Sequence, residues 1–113
     1  MKLNFKNKTI LITGGTNGIG KRLVIDFLKL KGKVICTTTK LKKRNNKKNL
    51  SFEYLDFNNQ ISKRNFFNKI RKIKKIDILI NNAGINKIDS IDNIELEDWK
   101  KINNVNVEGP LFL

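Results

Sequence analysis

The sequence predicts an α/β fold in which a parallel sheet carries helices on its faces. Three observations predict it. Short apolar, β-branched runs alternate with segments of helical period. A glycine-rich turn, Gly14 to Gly20, sits directly between the first such run and the first helical segment. The whole order reads strand, helix, strand, loop, strand, helix, strand, helix, which suits right-handed crossovers between parallel strands.

Each element has its own signal. Lys8 to Thr13 centres on an apolar run suited to a strand buried on both faces. Leu23, Val24, Phe27, Leu28 and Leu30 then recur at helical spacing until Gly32, which is expected at the C′ position. Lys33 to Thr39 is a second β-branched run. A polar loop from Lys40 to Asn49 follows, with cations at Lys40, Lys42, Lys43, Arg44, Lys47 and Lys48; it reads as a solvated connection. Ser51 to Asp56 is a short third strand, with Phe52 and Tyr54 on one face and Glu53 and Leu55 on the other. Ile61, Phe66, Phe67, Ile70 and Ile73 mark an amphipathic helix. Ile76 to Ile80 is a fourth buried strand and runs into Asn81-Asn82-Ala83-Gly84. A loop of mixed charge extends to about Glu95. Beyond it Trp99, Ile102, Val105 and Leu111 form an expected helical stripe, and Pro110 should bend that helix or mark a boundary.

Size and composition narrow the function classes. At 113 residues the chain is one domain at most, with no internal repeat and no dividing linker. Its 39% hydrophobic and 30% charged residues make a globular balance rather than a disordered one. No apolar run approaches the roughly 20 residues a bilayer span requires, and MKLNFKNKTI has neither the apolar stretch nor the cleavage site of a signal peptide. The expectation is a soluble, cytoplasmic protein with no membrane partner. One cysteine, Cys36, rules out an internal disulfide, and with no histidine present no zinc or other metal site is expected. The net charge of +14 could suit a polyanion. Lys is scattered, however, and Asn and Ile are enriched with it, which favours a compositional drift of the whole chain; no nucleic-acid partner is expected.

The glycine turn carries the clearest chemistry. In Thr13-Gly14-Gly15-Thr16-Asn17-Gly18-Ile19-Gly20, Gly14 lets the chain reverse, Gly18 lets backbone approach a pyrophosphate, and Gly20 lets the helix pack on the sheet. Freed N–H groups and the positive end of the helix dipole favour phosphate there. A Walker-type loop is excluded, because Gly20-Lys21 is followed by Arg22 rather than Ser or Thr.

TGGTNGIG resembles the TGxxxGIG motif of the short-chain dehydrogenase/reductase family, and Asn81-Asn82-Ala83-Gly84 resembles that family's NNAG motif. Asp56 and Asn106 fall where the family places a carboxylate beside adenine and the asparagine of its catalytic tetrad. The resemblance covers essentially all of residues 1–113 and implies a partial Rossmann-like, doubly wound parallel sheet of strand order 3-2-1-4 that binds NAD(P). It implies Gly14, Thr16, Asn17, Gly18, Ile19 and Gly20 along the pyrophosphate and adenosine ribose, and Asp56 and Phe57 at the adenine. Asn82, Ala83 and Gly84 are implied under the nicotinamide-side ribose. Thr13 is expected to tie strand one to strand four instead. Asn106 would hold a water of a proton relay through a distorted helix.

The implied reaction moves a hydride between nicotinamide and the carbonyl or alcohol carbon of a small molecule, in a protein that forms homo-oligomers at full length. An NAD site usually places an acid at the end of strand two. Here Thr38, Thr39 and Lys40 stand there, and the next acid is Glu53, so NADP(H) is favoured over NAD(H). Against this, Asn17 stands where many NADP-using relatives carry a cation. The family's serine, tyrosine and lysine find no match, since the single tyrosine, Tyr54, has Asn58 four residues on. The sequence therefore reads as the front half of such an enzyme, inactive alone, with strand four expected as an apolar edge. A nucleotide-binding module without catalysis, or a truncated relic, is the alternative.

Overall fold

The computed structural model describes residues 2–40 and 46–113. Lys42, Lys43 and Arg44 of the cationic loop lie outside the described residues. Four strands, β1 (Thr9–Ile12), β2 (Lys33–Thr38), β3 (Leu50–Tyr54) and β4 (Ile78–Ile80), form one parallel sheet in the order β3-β2-β1-β4. Helix α1 (Gly18–Lys29) joins β1 to β2, and α2 (Gln60–Ile70) joins β3 to β4. After a single 3-10 turn at Ile91–Asn93 come α3 (Leu96–Asn103), a π-helical turn (Asn104–Glu108) and α4 (Gly109–Phe112).

Strand alternation divides the core in two. Ile10, Ile12, Val34 and Cys36 point to one face, where Val24, Leu23, Phe27 and Leu28 of α1 cover them. Leu11 and Ile35 point to the other, where they meet Leu55, Phe57, Phe66 of α2 and Val105 of the π turn. Apolar residues on both faces of β1 and β2 are what a doubly covered parallel sheet requires. The order 3-2-1-4 with helices on both faces is the predicted architecture.

Four details depart from the sequence reading. The left-handed C′ residue of α1 is Lys31 (φ 68°), not Gly32. The Lys31 N–H donates to the Leu28 carbonyl and the Gly32 N–H to the Phe27 carbonyl, the paired bonds of a Schellman end. Glycine at position 32 serves packing instead: a Cβ there would lie 2.7 Å from Ile10 Cδ1. In α2, Ile61 is 68% exposed and Ser62 is buried in its stead. Five residues separate Ile61 from Phe66, a rotation of about 140° around the helix, so the two cannot share a face. Next, the stripe from Trp99 to Leu111 is not one buried face. Val105, within the π turn, is buried, whereas Trp99 and Leu111 are exposed: each stands six residues from Val105, a rotation of about 240°, and cannot share its face. Finally, β4 is shorter than expected and only partly buried; Leu79 is exposed at the sheet edge.

Pro110 stands where the π turn passes into α4, inside one unbroken run of helical backbone that it does not end. No helix among the described residues is long and apolar enough to cross a membrane.

Candidate nucleotide-binding cleft

A cleft of about 420 Å³ opens beyond the carboxyl ends of the four strands, the usual place for a ligand in an open α/β sheet. Its floor is the glycine turn. Gly14 takes φ +70°, and a Cβ there would come within 3.0 Å of the Ala83 Cα, so this position needs glycine on two counts. The Gly14 N–H donates to Thr37 Oγ1, and the Gly15 N–H to the Thr37 carbonyl, which moors the turn to β2. Gly18 takes φ +52°, but the space its Cβ would enter is open to beyond 4 Å. Helix α1 begins at Gly18 behind the extended residue Asn17, whose side chain caps no N–H, and its first turn carries no acid. Helix geometry gives the amides of Gly18, Ile19 and Gly20 no intrahelical carbonyl, and the dipole makes that end positive. The arrangement fits a phosphate.

Two residues lock the turn to β4. The buried Thr13 hydroxyl accepts the N–H groups of Asn82 (3.1 Å) and Ala83 (3.0 Å). Thr13 therefore ties strand one to strand four, as expected. The Asn82 amide nitrogen in turn donates to the carbonyls of Thr13 (3.1 Å) and Gly14 (3.0 Å). A Cβ on Gly20 would sit 2.4 Å from that amide and 2.4 Å from the Gly14 oxygen. Gly20 thus lies beneath the cleft, and its bareness admits the Asn82 clamp.

Of the residues the sequence singled out, Gly14, Thr16, Asn17, Gly18, Ile19, Thr39, Asp56, Phe57, Asn82, Ala83 and Gly84 line the cleft together. Gly20, Lys40 and Asn106 are not among the lining residues. The backbone N–H of Lys40 donates to Thr38 Oγ1 beside Thr39. Asn106 lies in the π turn and uses both ends of its amide on Ile85: Oδ1 accepts the Ile85 N–H (2.9 Å) and Nδ2 donates to the Ile85 carbonyl (2.9 Å). Asp56 accepts the Asn58 N–H and donates its own N–H to the Ser62 hydroxyl, so the loop after β3 is fixed against α2.

Thr37, Asn58, Ile85 and Val105 also line the cleft and were not read from the sequence as site residues. The alternation along β2 could have flagged Thr37 as a polar residue in a buried run; nothing local flags Asn58. Among the described residues, Thr38, Thr39 and Lys40 at the end of β2 include no carboxylate, and Glu53 on β3 pairs with Lys69 of α2 at 2.8 Å. Tyr54 is not among the lining residues.

Comparisons with known proteins agree with this geometry. The family model for short chain dehydrogenases matches residues 8–113. A short chain dehydrogenase/reductase of Gibberella zeae is 32% identical over 119 residues, covering 97% of this chain and 44% of that protein. The structure of a short chain dehydrogenase from Leptospira borgpetersenii with bound NAD+ superposes with a TM-score of 0.83 at 28% identity, over 96% of this chain and 43% of that one. ElxO with NADP bound gives a TM-score of 0.79 at 34% identity, over 93% and 46%. The chain therefore spans under half the length of these relatives. A match running through the glycine turn, the sheet and the π turn leaves one assignment: this chain belongs to the short-chain dehydrogenase family.

Proposed function

We propose that the cleft binds a nicotinamide dinucleotide, NADP(H) in preference to NAD(H), as the cofactor-binding part of an oxidoreductase. The reaction of the whole protein would move a hydride between the nicotinamide and the carbonyl or alcohol carbon of a small molecule. One observation carries the reading: at Gly18 open space replaces a side chain at the positive end of α1. A pyrophosphate can approach the amides of Gly18, Ile19 and Gly20 there without displacing protein atoms. Thr16, Asn17 and Ile19 would flank the adenosine ribose, and Asp56 and Phe57 would meet the adenine. Asn82, Ala83 and Gly84 would lie under the second ribose.

The phosphate preference follows from charge at the end of β2. Thr38, Thr39 and Lys40 offer hydroxyls and a cation, with no carboxylate among them to take the 2′-hydroxyl or repel a 2′-phosphate. The bound molecules named for similar structures include both NAD+ and NADP, so the preference rests on these side chains. Asn106 would hold a water for the proton relay; with its amide committed to Ile85, its main chain is the group left to do so. The cofactor, when bound, supplies the hydride chemistry, and the residues of this chain bind and orient it. Tyr54 lies outside the cleft and is not the proton donor.

A fluorescence titration of the chain with NADPH and NADH tests the assignment. NADPH should bind measurably, and more tightly than NADH. Equal or reversed affinities overturn the preference, and binding of neither overturns the cofactor assignment.

A further inference from the structure

The π turn touches the adenine end of the cleft as well as Ile85. Phe57, in the loop after β3, is only 4% exposed. One side of it lines the cleft, and it also walls an adjoining hollow of about 270 Å³ shared with Asn104, Gly109 and Phe112. The π-turn segment is what closes over it. A Cβ on the buried Gly109 would lie 2.5 Å from Phe57 Cδ1 and 2.7 Å from Phe57 Cγ, so the backbone of this segment rests directly on the ring. Next to Phe57, the Oδ1 of Asn58 accepts a hydrogen bond from Asn104 Nδ2 at 3.1 Å. Among the described residues that is the one side-chain hydrogen bond joining the Asp56–Asn58 loop to the segment from Leu96 onward. Asn58 itself lines the cleft, and Asn104 does not.

We propose that Asn104 is a positioning residue for the adenine subsite. Its bond to Asn58 sets the rim of that subsite, while Gly109 packs on the buried Phe57 ring and so anchors the loop whose outer side faces the base. The inference rests on the dinucleotide reading above and deepens it. Asn104 need not touch the ligand; it acts through Asn58. Its effect should therefore be confined to the adenine half of the cofactor. The phosphate-binding amides and the nicotinamide side are held by other bonds, those of Thr13, Asn82 and Asn106.

The test uses ADP and NMN, each displacing NADPH from the chain, with Asn104→Ala, Asn58→Ala and the double variant, and with melting curves to correct for folded fraction. Loss of one such hydrogen bond should weaken ADP roughly three- to ten-fold. The two single variants should weaken ADP alike, the double variant no further, and NMN should be unchanged. Should Asn104→Ala fold poorly, Asn104→Asp keeps the question open to measurement. A turned Asn58 amide can donate to the new carboxylate, and most of the ADP affinity should return. Unchanged ADP affinity in both single variants overturns the proposal and leaves the dinucleotide reading standing. Equal loss of ADP and NMN, in step with melting temperature, also overturns it, since that is a structural role alone. If the unaltered chain binds neither NADPH nor ADP, the dinucleotide reading itself fails and this inference falls with it.

Discussion

The Thr13 side chain is 1% exposed, and its hydroxyl oxygen accepts two backbone N–H groups from the segment after β4. A methyl group of the same size cannot do this. Thr13→Val should therefore leave the Ala83 amide short of an acceptor in a half-buried place, and the Asn82 amide with the Ile80 carbonyl alone, at a cost of about 1–3 kcal/mol. Urea unfolding measures it, and a variant as stable as the parent would contradict the assigned bonds. The role of Thr13 was legible from its place between strand and glycine turn. The Asn82 clamp was not. It depends on a side-chain amide reaching two carbonyls across the sheet, and on Gly20 having no Cβ to bar the way. Neither condition leaves a trace in periodicity.

At the scale of elements, the ends proved harder to read than the cores. Glycine at position 32 looked like the left-handed stop of α1, yet Lys31 takes that conformation. A lysine at φ 68° is strained in a way glycine is not. Lys31→Gly should raise stability by about 1 kcal/mol, the balance of relieved strain against a looser unfolded chain. A drop in the urea midpoint would contradict this account of the helix end. The entry to β4 is held by charge. Asp77 accepts the Thr9 N–H at 2.8 Å, and Lys75 and Lys8 stand 3.1 and 3.9 Å from its carboxylate. The Thr9 hydrogen bond first, and the Lys75 ammonium next, hold this carboxyl below the usual aspartate range. A lowered folded value means that the ionised group stabilises the fold above the ordinary aspartate pKa. That contribution is lost as the pH falls through the lowered value. Asp77→Asn should accordingly be less stable than the parent at neutral pH, with the gap closing in strong acid. A gap that persists there would show that the charge is not its source.

At the scale of the whole molecule, the sheet was legible because its two central strands are covered on both faces and must be apolar throughout. The lining of the cleft was legible where short motifs carry it, at Gly14, Thr16, Asn17, Gly18 and Ile19 and at Asn82, Ala83 and Gly84. It was illegible one residue past the motifs, at Asn58 and Ile85, which directly follow predicted site residues but carry no motif signal of their own. The last helical segment was misread because Trp99 and Leu111 each lie six residues from Val105, about 240° around a helix, and so never formed one stripe with it. The account as a whole stands on open space at Gly18 being room for phosphate. The direct measurement is the NADPH affinity of Gly18→Val beside that of the unaltered chain, with melting curves for both. The account predicts a variant that melts lower, because a side chain at φ +52° is strained even though a Cβ there meets no protein atom within 4 Å, and whose folded fraction binds NADPH at least about ten-fold more weakly, the mark of a lost phosphate contact. A folded variant with undiminished NADPH affinity would contradict it.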